Sequence, residues 1–183
     1  MSILTRPLTY DDLVQMPEDG NRYEIIGGEL VVAPAPIPLH QRVSKRAFLL
    51  LDGFVETRGL GEVFYAPLDV QLGDHDIVEP DLVFIARERL AIVERTRVIG
   101  VPNLLVEILS PSTRTRDEAL KAGLYAEAGV AEYWIVDPDE RTLRAYVLEG
   151  ERYALLPPDP NGVHSRVLPG LVVDVAALFE DLA

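Results

Sequence analysis

The sequence predicts an α/β fold in which a mixed β-sheet is flanked by helices. Apolar runs typical of strands alternate along the chain with segments of helical periodicity, an order characteristic of this class. The run at 104–109 has the apolar content of a buried central strand, and a helical segment and another strand follow it. Because the chain has 183 residues, of which 48% are hydrophobic and 26% charged, we expect one domain over 1–183 with a substantial core.

Three elements are predicted in the first third of the chain. Thr9 can cap a short helix, with Asp12 at the third following position and Pro17 as its stop. The pair Gly27-Gly28 lies between the strand-like segments 23–26 and 29–32, which predicts a β-hairpin. Apolar residues at spacings of three and four predict a helix over 40–57, ended by a glycine at position 59.

The remaining elements alternate between strands and helices. Strands are expected at 63–65, 69–72, 81–85 and 104–109, with a polar turn at 73–76. The segment Ser110-Pro111-Ser112-Thr113 has the residues of a helix start, and this helix should run to about Ala128 before Gly129. Strands at 132–136, 143–148 and 153–156 and a helix ending near residue 182 complete the chain.

Composition excludes several classes of protein. The absence of cysteine excludes disulfides, thiolate metal sites and cysteine nucleophiles. There is no apolar run long enough for a membrane span and no signal-peptide core, so we expect a cytoplasmic protein with no membrane partner. The net charge of 17 − 30 = −13 argues against a protein that holds nucleic acid mainly through a basic surface. No Gly-x-Ser-x-Gly element or Walker-type loop is present.

Three acidic residues occur where packing alone would favour apolar ones. Asp81 leads into the apolar run 82–85, Glu107 lies inside the strand 104–109, and Glu24 lies in the hairpin between Tyr23 and Ile25. A carboxylate in a buried strand must be paired, protonated or bound to a metal. Converging carboxylates suit magnesium or manganese. Alternatively, each acid faces solvent or pairs with an arginine.

The helix after Glu107 carries a second polar pattern. Asp117, Lys121 and Tyr125 are spaced four apart and share one helix face. The neighbouring face is apolar and is expected to pack on the sheet; it consists of Leu120, Leu124 and Ala128. Lys121 could lean back over the end of the acidic strand, or it could form only a surface ion pair with Asp117.

The ordered set of these residues resembles the Uma2 family of endonucleases, which belongs to the PD-(D/E)XK restriction-endonuclease-like superfamily. The set begins with the segment 23–30 and His40, continues with Pro80-Asp81 and with Glu107 26 positions after Asp81, and ends with Asp117, Lys121, Tyr125 and the segment 129–134. The resemblance spans about residues 8 to 180. It implies a restriction-endonuclease-like core with an N-terminal β-hairpin and additional C-terminal strands.

The resemblance also implies a catalytic site. Asp81 and Glu107 would be metal ligands for Mg or Mn, which activates water and stabilises charge on the phosphoryl oxygens. The superfamily's usual lysine position, two after the second acid, is Leu109 here, and Lys121 is the matching candidate for that role. It would orient or activate the attacking water, or neutralise the phosphate.

Four further residues are candidates for supporting roles, each with a structural alternative. Glu24 would complete the metal shell through water, or it is a surface residue of the hairpin. His40 would contact phosphate or carry a proton, or it caps a helix or is merely exposed to solvent. Asp117 belongs to the matched set or to the surface ion pair. Tyr125 would donate a hydrogen bond in the site, or it covers the sheet edge. Trp134 and Tyr133 are expected in the core or at an interface and not as base-stacking platforms.

The functional hypothesis is a metal-dependent endonuclease that acts on nucleic acid, in particular DNA, as a homodimer. One alternative is a catalytically silent nuclease fold that serves as a binding or assembly module. Another is a glycosidase that uses two carboxylates without metal and is insensitive to EDTA. The acidic charge predicts weak, salt-sensitive binding of nucleic acid, because no segment gathers many basic residues. Arg42, Lys45 and Arg46 are an example of the small basic groups that are present.

Overall fold

The computed structural model of the protein describes residues 6–110, 114–157 and 159–182, with the backbone alone at 114–118. The helices are α1 (Tyr10–Leu13), α2 (Pro38–Arg58), α3 (Arg114–Ala128) and α4 (Val175–Phe179), with a 3-10 helix at Arg87–Ile92. The strands are β1 (Arg22–Ile26), β2 (Glu29–Ala33), β3 (Gly61–Tyr65), β4 (Val70–Gly73), β5 (Asp76–Val78), β6 (Leu82–Ala86), β7 (Val98–Ile99), β8 (Leu104–Ile108), β9 (Glu132–Asp137), β10 (Thr142–Glu149), β11 (Arg152–Leu155), β12 (Val163–His164) and β13 (Val172–Val173).

The larger sheet has the order β11-β10-β9-β8-β6-β3 within the described ranges. β8 and β9 are parallel and are joined through α3, whereas the other neighbours are antiparallel. Side chains alternate between the two faces, so Leu82 and Phe84 of β6 join the core under α2 and α4, while Val83 and Ile85 join a second core on the opposite face. The mixed sheet flanked by helices confirms the predicted fold class.

The smaller sheet has the order β2-β1-β5-β4-β7 over the same described part of the chain. β4 and β7 are parallel and the other neighbours antiparallel, so this sheet is mixed as well. Ile26, Val70 and Val78 of this sheet pack into the second core. Tyr125 of α3 and Val130, two residues after the end of α3, belong to the same core. The hairpin and α3 are thereby held against one end of β6 and β8.

Several local predictions are confirmed. The hairpin turn lies at Gly27 and Gly28, whose φ angles of 59° and 78° suit glycine. α1 begins after Thr9, whose backbone N–H donates to the Asp12 carboxylate at 2.9 Å. α2 ends at Gly59, which adopts the left-handed conformation with φ of 60°.

Other predictions need correction. The polar segment 73–76 is a turn only at its centre, because Gly73 ends β4 and Asp76 begins β5. β5 was not predicted because its three residues are too few to show the alternation of apolar and polar residues that identifies a strand. The last helix ends at Phe179 and not near residue 182. The predicted helix start at 111–113 lies outside the described residues. None of the helices in the described part of the chain is both long enough and apolar enough to cross a membrane.

Candidate active site

Asp81 immediately precedes β6 and is 2% exposed. Its Oδ1 accepts a hydrogen bond from Nη1 of Arg22 at 2.9 Å. Its Oδ2 lies 3.1 Å from Nε2 of His40 and accepts from the backbone N–H of Ile108 at 2.8 Å. Burial opposes ionisation of this carboxyl, but the hydrogen bond and charge of His40 and the charge of Arg22 hold its pKa below the ordinary value. Asp81 is therefore an ionised carboxylate whose two oxygens are both oriented by neighbours.

Glu107 lies on β8, on the same sheet face as Leu105, and forms hydrogen bonds with α3. Its Oε1 accepts hydrogen bonds from Nζ of Lys121 at 3.0 Å and from the hydroxyl of Tyr125 at 2.6 Å. Nζ of Lys121 also donates to Oε1 of Glu24 at 2.9 Å. All four side chains are buried. One lysine thus links carboxylates from two different sheets.

Burial changes the ionisation of this group. It raises the pKa of Glu107 to about 7, against the attraction of Lys121, and the negative charges of Asp81 and Glu24 act in the same direction as burial. Burial would lower the pKa of Lys121, but the charges of Glu107 and Glu24 outweigh it and raise that pKa above the ordinary value. Burial also raises the pKa of Tyr125, which therefore remains a hydrogen-bond donor. Lys121 is a permanent cation in this site.

Two residues that the sequence analysis did not single out complete the arrangement. Arg22 forms an ion pair with Glu79, with 3.0 Å between Nε and Oε1. The backbone N–H of Glu79 donates to Oε1 of Glu24 at 2.7 Å. A weak signal for both exists, because Arg22 and Glu24 are two apart on one strand and therefore share a face, and Glu79 is two residues before Asp81. Burial raises the pKa of Glu79, and Arg22 opposes this.

These side chains line a cleft of about 360 Å3 between the two sheets and the start of α2. Its wall includes four carboxylates (Glu24, Glu79, Asp81 and Glu107) and two permanent cations (Arg22 and Lys121). The acidic side chains of the described lining therefore outnumber these two cations by two. Such an excess of hard oxygen donors fits one divalent cation such as Mg²⁺ or Mn²⁺.

The carboxylates do not already form a closed metal shell. Within the described residues, no group of three or more histidine, aspartate or glutamate side chains is arranged to hold a metal ion. Mg²⁺ is commonly held by one or two carboxylates, with waters and substrate phosphates as its other ligands. Asp81 and Glu107 lie at the same end of the antiparallel pair β6–β8. They are the donors that fit this mode.

The apolar pattern of α3 predicts only part of its buried face, since Leu124 packs against the second core as expected. Leu120, which we expected to pack on the sheet, is 41% exposed, whereas Lys121 and Tyr125 are 7% and 0% exposed. The reason is that Glu107, itself buried, offers both polar side chains a hydrogen-bond acceptor, so their face can be buried. A surface ion pair therefore does not describe Lys121; the side chain of Asp117 lies outside the described residues.

The cleft thus brings together most of the predicted site residues. Asp81, Glu107 and Lys121 line it with Glu24 and His40, and Tyr125 lies behind Glu107. His40 is buried near the start of α2 and contacts Asp81, so it is not an exposed residue or a helix cap. Tyr133 and Trp134 are 1% exposed and lie in the core, as expected.

Both the fold and the sequence of this chain are similar to known proteins. A crystal structure described as a putative nuclease belonging to DUF820 from Anabaena variabilis ATCC 29413 matches with a TM-score of 0.77 and 23% sequence identity, over 94% of this chain and 98% of that one. No curated protein matches the sequence with statistical significance. A family model described as "Uma2: Putative restriction endonuclease" matches residues 10–176. The chain therefore belongs to the Uma2 family.

Proposed function

We propose that the protein is a divalent-metal-dependent endonuclease that hydrolyses phosphodiester bonds of DNA in the cleft around Asp81 and Glu107. The observation that carries this proposal is the convergence of two buried carboxylates and a permanently charged lysine in one cleft of a Uma2 protein. A phosphodiester is an anion, and its hydrolysis builds further negative charge on the phosphoryl oxygens. A cation-binding pair of carboxylates beside a lysine matches that requirement.

Asp81 and Glu107 would hold Mg²⁺ or Mn²⁺. When bound, the metal lowers the pKa of a water molecule and offsets charge on the phosphate. Arg22 and His40 hold the oxygens of Asp81 in a fixed direction, and Tyr125 does the same for Oε1 of Glu107. Glu24 holds Lys121 from the opposite side and adds negative charge near the metal.

Lys121 would act on the attacking water or on the phosphate. Its Nζ lies within hydrogen-bond distance of Glu107 and Glu24, so its position is constrained by two acceptors from different sheets. Because its pKa is raised by these acids, Lys121 supplies a positive charge and hydrogen-bond donors and does not serve as a base. It therefore orients water or neutralises the transition state.

A panel of cleavage reactions tests the proposal. Purified protein is incubated with plasmid, linear duplex and single-stranded DNA, and with RNA, in Mg²⁺ or Mn²⁺ with or without excess EDTA. We expect DNA cleavage that EDTA abolishes and that Asp81→Asn and Glu107→Gln reduce to background, whereas Glu151→Gln, at an exposed turn, cleaves like the wild type.

Three results would contradict it. Equal cleavage by the wild type and both cleft variants would indicate contamination. Turnover that resists EDTA would favour carboxylate chemistry without metal. Metal-independent binding of DNA with no cleavage under any condition would favour a catalytically silent binding module.

Replacement of Lys121 separates its role from metal binding. Lys121→Met should lower the cleavage rate by at least about 100-fold, because one charged donor at the developing charge is lost. Binding of Mn²⁺, measured by isothermal titration calorimetry, should be retained, because the two carboxylates remain. Loss of Mn²⁺ binding in this variant would instead assign Lys121 to the organisation of the metal ligands.

We also propose that the protein is a homodimer, as its family resemblance implies, in which a two-fold axis relates two clefts. Light scattering should give twice the monomer mass of 20.3 kDa. A monomer at micromolar concentration would contradict this.

A further inference from the structure

We propose that a groove next to the cleft binds an unpaired nucleobase adjacent to the phosphate that is cleaved, and that the substrate is therefore single-stranded at this point. The groove, about 350 Å3 in volume, lies between one side of α2 and the end of β3, and we call it the α2–β3 groove. This inference rests on the proposed function and extends it to the class of substrate. Three independent features of the groove support it.

The first feature is continuity with the cleft. Arg22 and His40 line both the cleft and the α2–β3 groove. The same two side chains bind Asp81 on its two carboxylate oxygens. The groove thus adjoins the cleft at these two side chains, and it offers space for the nucleotide next to a phosphate at Asp81 and Glu107.

The second feature is an exposed aromatic side chain. Tyr65, the last residue of β3, is 63% exposed. Its ring meets Phe48 of α2 edge to face, with 4.9 Å between the ring centroids and 73° between the planes. Leu49 lies beside them and is 58% exposed. Exposed aromatic rings are the surfaces on which single-strand binding proteins stack bases.

An aromatic platform selects unpaired bases for a geometric reason. In a duplex, the two faces of each base are covered by its neighbours, and its edge is paired. A base can lie against Tyr65 only if it has left that stack or never belonged to one. The exposed ring therefore favours a single strand over an intact duplex.

The third feature is the charge of the lining. The described lining of the groove includes Lys45 and no acidic residue, although the chain has 30 acids against 17 basic residues. Arg22 also lines it, with its guanidinium paired to Glu79 and Asp81 of the cleft. Gln41 and Ser44 of α2 add polar groups. The neighbouring cleft, by contrast, has four carboxylates. In so acidic a protein, a groove with cations and without acids is complementary to the phosphate of a nucleotide.

The test uses a short single-stranded DNA that contains 2-aminopurine, a fluorescent base whose emission is quenched by stacking. The full-length protein is titrated in EDTA, so that binding is measured without cleavage, and an intact duplex of the same sequence is titrated in parallel. We expect quenching on binding of the single strand by the wild type. Tyr65→Ala should abolish the quenching and weaken single-strand binding by about 5- to 100-fold.

Matched variants make the result specific to stacking. Tyr65→Phe should behave like the wild type, and Tyr65→Leu, which keeps an apolar side chain, should behave like Tyr65→Ala. Leu155→Ala removes an equally exposed apolar side chain at the opposite edge of the larger sheet and should have no effect. Thermal unfolding of each variant checks that the fold is retained.

Two outcomes would overturn the inference. The first is that Tyr65→Ala or Tyr65→Leu binds the single strand and quenches its fluorescence like the wild type. The second is that the protein binds the duplex more tightly than the single strand. These outcomes are distinct from a failure of the proposed function. If the protein fails to cleave DNA but shows the Tyr65-dependent quenching, the base subsite stands and the nuclease activity does not. If it cleaves DNA but shows no dependence on Tyr65, the subsite alone is wrong.

Discussion

Glu107 is an ionisable residue whose burial depends on its hydrogen-bond partners. It is buried beside two other carboxylates, and its Oε1 accepts from both Lys121 and Tyr125. Burial without such partners would leave a charge that the fold could not tolerate. A pKa of about 7 means that Glu107 gains or loses a proton near neutral pH, while Asp81, whose pKa is lowered, remains ionised.

This difference predicts a pH-dependent stability that depends on Glu107. The pKa of this carboxyl is higher in the folded protein than the ordinary 4.5 of the unfolded chain, so the folded state binds more protons between about pH 4.5 and about pH 7. The stability that Glu107 contributes is full below this window and is lost as the pH rises through about 7. The free energy of unfolding in urea should therefore fall from about pH 5 to about pH 8 by more in the wild type than in Glu107→Gln. Parallel pH profiles of the two proteins would contradict the prediction.

Among the secondary-structure elements, β9 carries a buried carboxylate outside the cleft that accepts several hydrogen bonds. Glu132 on this strand is 0% exposed. Its Oε1 accepts from Nε1 of Trp134 at 2.6 Å, and its Oε2 accepts from the backbone N–H groups of Arg166 and Val167 at 2.7 and 2.9 Å. Through these hydrogen bonds, one carboxylate connects the segment between β12 and β13 to the larger sheet.

Removal of this carboxylate should destabilise the fold strongly. Glu132→Ala leaves the indole N–H and two backbone N–H groups without their acceptor, and each such loss costs about 1–3 kcal/mol. We expect a loss of at least about 3 kcal/mol in the free energy of unfolding, measured in urea. Glu132→Gln, which keeps one oxygen acceptor, should lose less, and Glu151→Ala at an exposed turn should change stability by no more than about 0.5 kcal/mol. A small effect of Glu132→Ala would show that the segment is held by its apolar contacts instead.

For α3, the difference between pattern and structure has a physical cause. The spacing of Lys121 and Tyr125 correctly placed them on one face. Which face turns inward was decided by a partner on another element, since Glu107 offers an acceptor that no helical periodicity reveals. The apolar pattern therefore placed Leu124 against the core but did not reveal that Lys121 and Tyr125 are buried as well.

At the scale of the whole molecule, the net charge of −13 is distributed unevenly. Four acids surround the cleft, where a divalent ion would offset part of their charge. The basic grouping at Arg42, Lys45 and Arg46 lies on α2, and Lys45 lines the α2–β3 groove next to that cleft. Arg46 is engaged with the backbone carbonyl of Glu180. The acidity of the protein as a whole therefore limits affinity but does not exclude nucleic acid.

The affinity for single-stranded DNA should depend on salt and on Lys45. Each phosphate contact adds about 0.7 to the slope of log K against log salt concentration for a single strand. Lys45→Met should reduce that slope by about 0.7, measured by fluorescence anisotropy between about 50 and 200 mM salt in EDTA. Arg152→Met removes the same charge from β11, at the opposite edge of the larger sheet, and should leave the slope unchanged. An equal change in both variants would mean that only the net charge matters.

The sequence by itself was enough to predict the fold class, the hairpin at Gly27-Gly28, and the unusual placement of acids in apolar strand segments at positions 24, 81 and 107. These follow from local periodicity, from the backbone freedom of glycine, and from the cost of burying a charge. Only the tertiary structure decided that Lys121 pairs with Glu24 and Glu107, that Arg22 and His40 hold Asp81, and that Tyr65 lies beside the cleft. Each of these contacts joins residues far apart in the chain, and the spacing of residues along one element contains no information about which other element it will meet.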